Sequence, residues 1–132
     1  MSITITDGTT PVTLHPDLYW ADEFTYQAVE QTAERTITGA LVVSAATKVG
    51  GRPITLQPED DSSAWMPRAT VEQLRNWAAV PGQELTLTLR GVARTVMFRL
   101  QDGSVVDATP VKHFSDTDAA DWYRCTLRFM EV

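Results

Sequence analysis

The closing stretch DWYRCTLRFMEV alternates strictly, with Tyr123, Cys125, Leu127 and Phe129 on one side and Arg124, Thr126 and Arg128 on the other. Successive side chains of an extended backbone point to opposite faces, so this is the pattern of a half-buried strand. The same period of two runs through ELTLTLR, where Leu85, Leu87 and Leu89 oppose Glu84, Thr86, Thr88 and Arg90. It continues in TVMFRL, where Val96, Phe98 and Leu100 oppose Thr95 and Arg99. Gly91 separates these two runs closely enough for a hairpin, and Asp102-Gly103 predicts a second tight turn with positive φ. SVVDATPV follows, with Pro110 marking a strand end or an edge position. Upstream, SITIT before Asp7-Gly8 and RPITLQ through Ile54 and Leu56 predict short strands, and FTYQAVEQ a further one. ERTITGALVVSAATKV is a long β-rich run with Ile37, Leu41 and Val43 on one face and a bulge or bend expected at Gly39.

One segment breaks the period. In TVEQLRNWAAVPG, Val71, Leu74, Trp77 and Ala78 recur at helical spacing. Thr70 followed by Gln73 predicts a capping box, and Pro81-Gly82 a stop, so the helix covers about residues 70–80. Its apolar face predicts that Trp77 packs it onto a sheet. The expected fold is therefore mainly β, a sandwich or split barrel over residues 1–132, with one short helix plugging an end or covering an edge.

Composition narrows the chemistry. The 132 residues are 43% hydrophobic and 21% charged, ordinary values for one folded domain. Eleven basic against 17 acidic side chains leave a net charge of −6, the wrong sign for a protein built to neutralise phosphates or adhere to anionic membranes. No sequence-specific nucleic-acid binding and no membrane insertion are expected, since no apolar run approaches the length of a bilayer span. MSITITDGTT lacks the basic start and apolar run of a signal peptide, so synthesis and maturation in a cytoplasm are expected. With Cys125 the single cysteine, no intrachain disulfide or Cys-rich zinc site is possible.

Candidate catalytic chemistry is thin. Gly50-Gly51 leads into a strand with the helix some twenty residues further on, so the pair is expected to form a turn with Arg52 solvated rather than a phosphate loop. His15 and His113 lack metal-ligand spacing and belong to loops. Cys125 lies in the apolar set of its strand, a packing position. Glu59, Asp60 and Asp61, and then Asp116, Asp118 and Asp121, form two acidic clusters. DTDAAD spaces carboxylates as a calcium loop does but lacks its glycine and distal glutamate, so solvated loops are expected. No catalytic residue, cofactor or metal is assigned, and an enzyme is not expected. Trp20 and Trp65 are the candidate partner contacts: they either anchor a partner or fill the open ends of a small barrel.

The order of GRPITLQ, the tryptophan loop SSAWM, the helix TVEQLRNW, the hairpin ELTLTLRGVARTVMFRL and the closing strand YRCTLRFMEV resembles that of the small minor-tail and distal-tail proteins of long-tailed bacteriophages. The resemblance spans about residues 35 to 132 and has no catalytic signature. It implies a β-sandwich or split barrel with one helix, assembled as a homo-oligomeric ring at the tail tip. Such a ring joins the tail tube to the hub and the receptor-binding apparatus, which places the protein in the virion with other tail proteins as partners. The alternatives are a tube-completion or terminator subunit, and a small carbohydrate- or ligand-binding β-domain with exposed tryptophans in a groove.

Overall fold

The computed structural model of the chain describes residues 3–132 except 49, 61 and 114. Ser2 and Val49, at the ends of two predicted strands, and Asp61 of the first acidic cluster lie outside the described residues. In chain order the elements are β1 (Ile3–Thr6), β2 (Pro11–Leu14), β3 (Tyr19–Trp20), β4 (Val29–Arg35), β5 (Leu41–Thr47), β6 (Arg52–Gln57), β7 (Trp65–Pro67), α1 (Arg68–Ala78), β8 (Leu85–Leu89), β9 (Val92–Phe98), a 3-10 turn (Leu100–Asp102), β10 (Val106–Pro110) and β11 (Trp122–Glu131). The protein is mainly β with one short helix, a sandwich-like fold, as the alternation predicts.

All strands but β4 and β5 join one antiparallel sheet, seven of them in the order β2-β1-β8-β9-β11-β6-β3, with β7 and β10 each paired to β11 off that path. The long strand β11 takes two successive partners on each side. Phe129 lies between Phe98 of β9 and Ile54 of β6, while Tyr123 lies between Pro110 of β10 and Met66 of β7. β9 and β10 are thus consecutive neighbours along one edge of β11, and β6 and β7 along the other. The predicted tight turn at Asp102-Gly103 does not form a hairpin between β9 and β10. Gly103 has a positive φ of 94°, but both strands pair with β11 instead of with each other. Leu100, expected in the apolar set of its strand, falls in the 3-10 turn and is 52% exposed.

The inward side chains form one core. Ile3, Ile5, Leu85, Leu87, Val96, Phe98, Ile54, Leu56, Cys125, Leu127 and Phe129 are all buried and belong to a single cluster. Phe98 and Phe129, cross-strand partners, stack with ring centroids 4.8 Å apart. The hairpin expected at Gly91 is present: Arg90 and Gly91, with φ of 54° and 77°, form a two-residue turn that sets Leu89 opposite Val92.

The two ends of the core close differently. At the start of β11, α1 presents Val71, Leu74 and Trp77 to the core. The expected Thr70 cap is absent, because the helix begins earlier, at Arg68, with Pro67 at the N-cap and no side-chain cap. Two backbone carbonyls from a distant loop take that role. Arg68 N–H donates to Asp121 O at 2.8 Å and Ala69 N–H to Ala119 O at 3.1 Å, which satisfies two of the free donors of the first turn. At the finish of β11, Trp20 closes the core. Arg52 and Arg94 occupy the inward register of β6 and β9, and their guanidinium groups stack on the Trp20 ring at 4.6 and 5.0 Å. Arg52 is thereby half-buried against Trp20 and Tyr26, not solvated as the sequence implied, and it donates to Glu23 O at 3.2 Å. Outside the core, Asp22 accepts from Thr55 N–H and Oγ1 (2.9 and 2.8 Å) and pairs with Arg99 at 3.7 Å, tying the β3 segment to β6.

Trp77 is 5% exposed and belongs to the core cluster. Trp77→Ala is therefore expected to cost about 3–5 kcal/mol in chemical denaturation. Thr70→Ala, now inside the helix, is expected to stay within about 0.5 kcal/mol of the parent. A loss of a full cap's worth, about 1 kcal/mol, would restore Thr70 as the helix cap.

Candidate functional site

The long β-rich run that starts at Glu34 is not one strand: Glu34 and Arg35 end β4, the chain turns through Thr36–Ala40, and Leu41–Thr47 form β5. Of the predicted strand FTYQAVEQ only Val29–Gln31 are in β4, and Phe24–Ala28 lie outside any strand. Among the described residues the β4–β5 hairpin belongs to no larger sheet. Its strands pair from Val29↔Thr47 to Arg35↔Leu41, and residues 27–47 are all exposed. Gly39, expected at a bulge or bend, lies in the turn with φ of 86°, and Ile37 sits at the tip fully exposed. The turn is built by Thr36, whose carbonyl accepts from Gly39 N–H (2.9 Å) and whose hydroxyl accepts from Ala40 N–H (3.1 Å). The root is fixed by Lys48, whose backbone N–H donates to Ala28 O (2.8 Å) and whose ammonium pairs with Glu30 (3.7 Å) and lies over the Tyr26 ring.

The register gives the hairpin two unlike faces. Val29, Ala33, Leu41, Val43 and Ala45 share one face with Gln31, Arg35 and Thr47, while Glu30, Glu34, Thr32 and Ser44 lie on the other beside Val42 and Ala46. Leu41 is 53% and Val43 49% exposed, so the apolar face has no cover from the described residues. Both outer edges of the hairpin also present unpaired backbone groups. Each strand reaches about 23 Å at the usual rise per residue.

A second feature lies on the outward side of the sheet where β7 meets β11. Trp65 is opposite Arg124 and Trp122 opposite Pro67, so the two indoles are diagonal neighbours on one face. Trp122 is 53% exposed and Trp65 half-buried. With the loops at His15–Asp17 and Ser62–Ala64 they line a groove of about 300 Å³. Ala64, immediately before Trp65, is buried and held at φ of 58°, a left-handed conformation that non-glycine residues seldom adopt.

The two candidate contacts therefore separate. Trp20 is buried and fills one end of the core, while Trp65 lines the outward groove. Trp122, its neighbour there, was not singled out, although its register with Arg124 and Thr126 already put it on the outward face. Gly50 and Gly51, with φ of 72° and 76°, form a turn into β6, and Gly51 N–H donates to Glu131 O at 2.7 Å. His15 accepts from Asp17 N–H at 3.1 Å, and His113 is an exposed loop residue.

The acidic loops use their carboxylates locally. Asp60 accepts from the side chain and backbone of Ser62, bonds that hold its carboxyl below the usual range. Asp121 accepts from Asp118 N–H, and Asp118 from Ala120 N–H. Among the described residues no group of three or more His, Cys, Asp or Glu side chains is placed to hold a metal ion. Among them, too, no helix is long and apolar enough to cross a membrane. Comparison of the chain with protein-family models, with curated proteins and with solved structures found no match in any of the three.

Cys125 is 1% exposed, and burial, followed by the nearby Asp107 charge, pushes its thiol up to about 12. The thiolate is the reactive form, so the native protein is expected to resist an aromatic disulfide reagent at pH 8 and to react stoichiometrically once denatured. The folded state holds this proton more tightly than the unfolded state, so its stabilising contribution is complete below about pH 9 and is lost as pH rises toward about 12. Rapid labelling of the native protein at pH 8 would contradict the buried placement.

Proposed function

We propose that this protein is a structural subunit of a long-tailed phage or prophage tail, placed at the distal end. There it assembles as a homo-oligomeric ring that links the tail tube to the hub and receptor-binding apparatus. One observation supports this reading above the others: the β4–β5 hairpin stands off a body that is complete without it. A two-stranded hairpin is at best marginally stable alone in water. This one exposes an apolar face and two unpaired edges at once, features that single-chain proteins ordinarily cover or blunt. A neighbouring subunit supplies the cover, by pairing with an edge or packing on the apolar face.

Ring closure needs two different surfaces on each subunit, related by a rotation that returns to its start. A projecting arm on one side and a sheet body on the other provide such a pair. The net charge of −6 fits a lumen through which DNA passes without adhering.

Mass-spectrometric counting on tail particles, purified after infection or prophage induction of the source culture, tests the placement. The chain is expected as a virion component at about a dozen copies or fewer per particle. Intact particles recovered without it would contradict the reading. A second variant isolates the arm: residues 31–45 are replaced by Asn-Gly so that the paired Glu30 and Ala46 close a shorter hairpin. Its melting temperature is expected to stay within a few degrees of the parent, while incorporation into particles is lost. Normal incorporation would show that the arm is not the assembly element.

A further inference from the structure

We propose that the outward groove between Trp65 and Trp122 binds a neutral saccharide. This goes beyond the structural role above and does not depend on it, since the site lies on the sheet body and not on the arm.

The groove combines what sugar rings require. A pyranose has apolar C–H faces and a rim of hydroxyls. The two indoles sit at diagonal cross-strand positions, about 7–8 Å apart by sheet geometry, on a face where Trp122 is half exposed. Aromatic faces carry negative charge density that attracts the polarised C–H bonds of a sugar. The same groove is lined by three kinds of hydroxyl partner. Asp17 brings a carboxylate, 64% exposed, that accepts. His15 uses Nδ1 to accept from Asp17 N–H, so the neutral ring carries its proton on Nε2 and donates. Ser62 and Ser63 donate their O–H groups to Asp60, and Ser63 Oγ also accepts from Asp60 N–H, which leaves both lone pairs of Ser62 and one of Ser63 for a ligand hydroxyl.

The same features disfavour other occupants. The volume of about 300 Å³ is at the lower end for small-molecule sites, and the aromatic pair is flanked by charged and polar groups that interface centres usually lack. The Asp17 carboxylate repels anionic sugars. The left-handed Ala64 aims the chain so that Trp65 forms one wall, a local cost of the kind that accumulates at ligand sites.

The test is a glycan array bearing neutral, sialylated and uronic-acid oligosaccharides, probed with the full chain and with W122A, W65A and D17N. Calorimetric titration of the strongest array binder follows. Neutral glycans are expected to bind and anionic ones not, with a shift of tryptophan emission on titration. W122A is expected to weaken binding about tenfold or more. Because Trp122 lies on the surface, its variant should melt within a few degrees of the parent, which separates lost binding from lost folding. Absence of any glycan bound above the W122A background overturns the proposal, as does affinity unchanged in both tryptophan variants. If W122A instead lowers the oligomeric mass in sedimentation while no glycan binds, the pair is a protein contact and the proposal is equally overturned.

Discussion

Everything in the body depends on β11 being paired along both edges over almost its whole length. Each of its neighbours is itself interrupted. Residues 58–64 break the line from β6 to β7, and residues 99–105 break the line from β9 to β10. These interruptions let β11 take two partners along each edge, and they also contribute to the core, since Ala64 and Val105 are buried. Because side chains alternate, a one-residue slip of β11 would expose Cys125, Leu127 and Phe129 together and turn Arg124, Thr126 and Arg128 inward. The register is held by that penalty more than by any single hydrogen bond. The same geometry sets the ends: α1 closes over the start of β11, and Trp20 between two guanidinium groups closes its finish.

Against that background the β4–β5 arm is the exception. The body satisfies its apolar face internally, whereas the arm repeats the chemistry of a core strand with none of the described residues laid against it. Its polar face carries Glu30 and Glu34, which favours solubility of the free chain, while its other face offers Leu41 and Val43. A division of this kind, with a rigid body and one sticky but charged arm, suits a subunit that is made separately and ordered on assembly. The tryptophan groove lies on the body, so the proposed saccharide site and the proposed assembly through the arm occupy different surfaces.

How much was legible in the sequence follows from the range of the interactions. β11, the β8–β9 hairpin, β1, β6 and the apolar face of α1 announce themselves because each is long enough to display its own period or has its turn residues adjacent. β2, β3 and β7, with four, two and three residues, are too short to show a period. The Thr70 cap was a local reading of a helix start that carbonyls more than forty residues away decide, at Asp121 and Ala119. The Asp102-Gly103 turn failed for a related reason. Its glycine does take positive φ, yet the long partner β11 captured both flanking strands. The arm was visible as strand but not as exposed, because β-branched residues mark a face that packs without saying whether the partner is in the same chain. Of the groove, Trp65 was in view. Trp122 was readable from its outward register and was passed over.

The proposed assembly requires a body that folds by itself and an arm that becomes ordered only against a neighbour. Amide hydrogen exchange, followed residue by residue in the dilute monomer and in assembled particles, tests it directly. The account predicts strong protection of β11 and its partners in both states, and protection of β4 and β5 only after assembly. Arm amides as protected as β11 in the dilute monomer, or unprotected in the assembled particle, would contradict it.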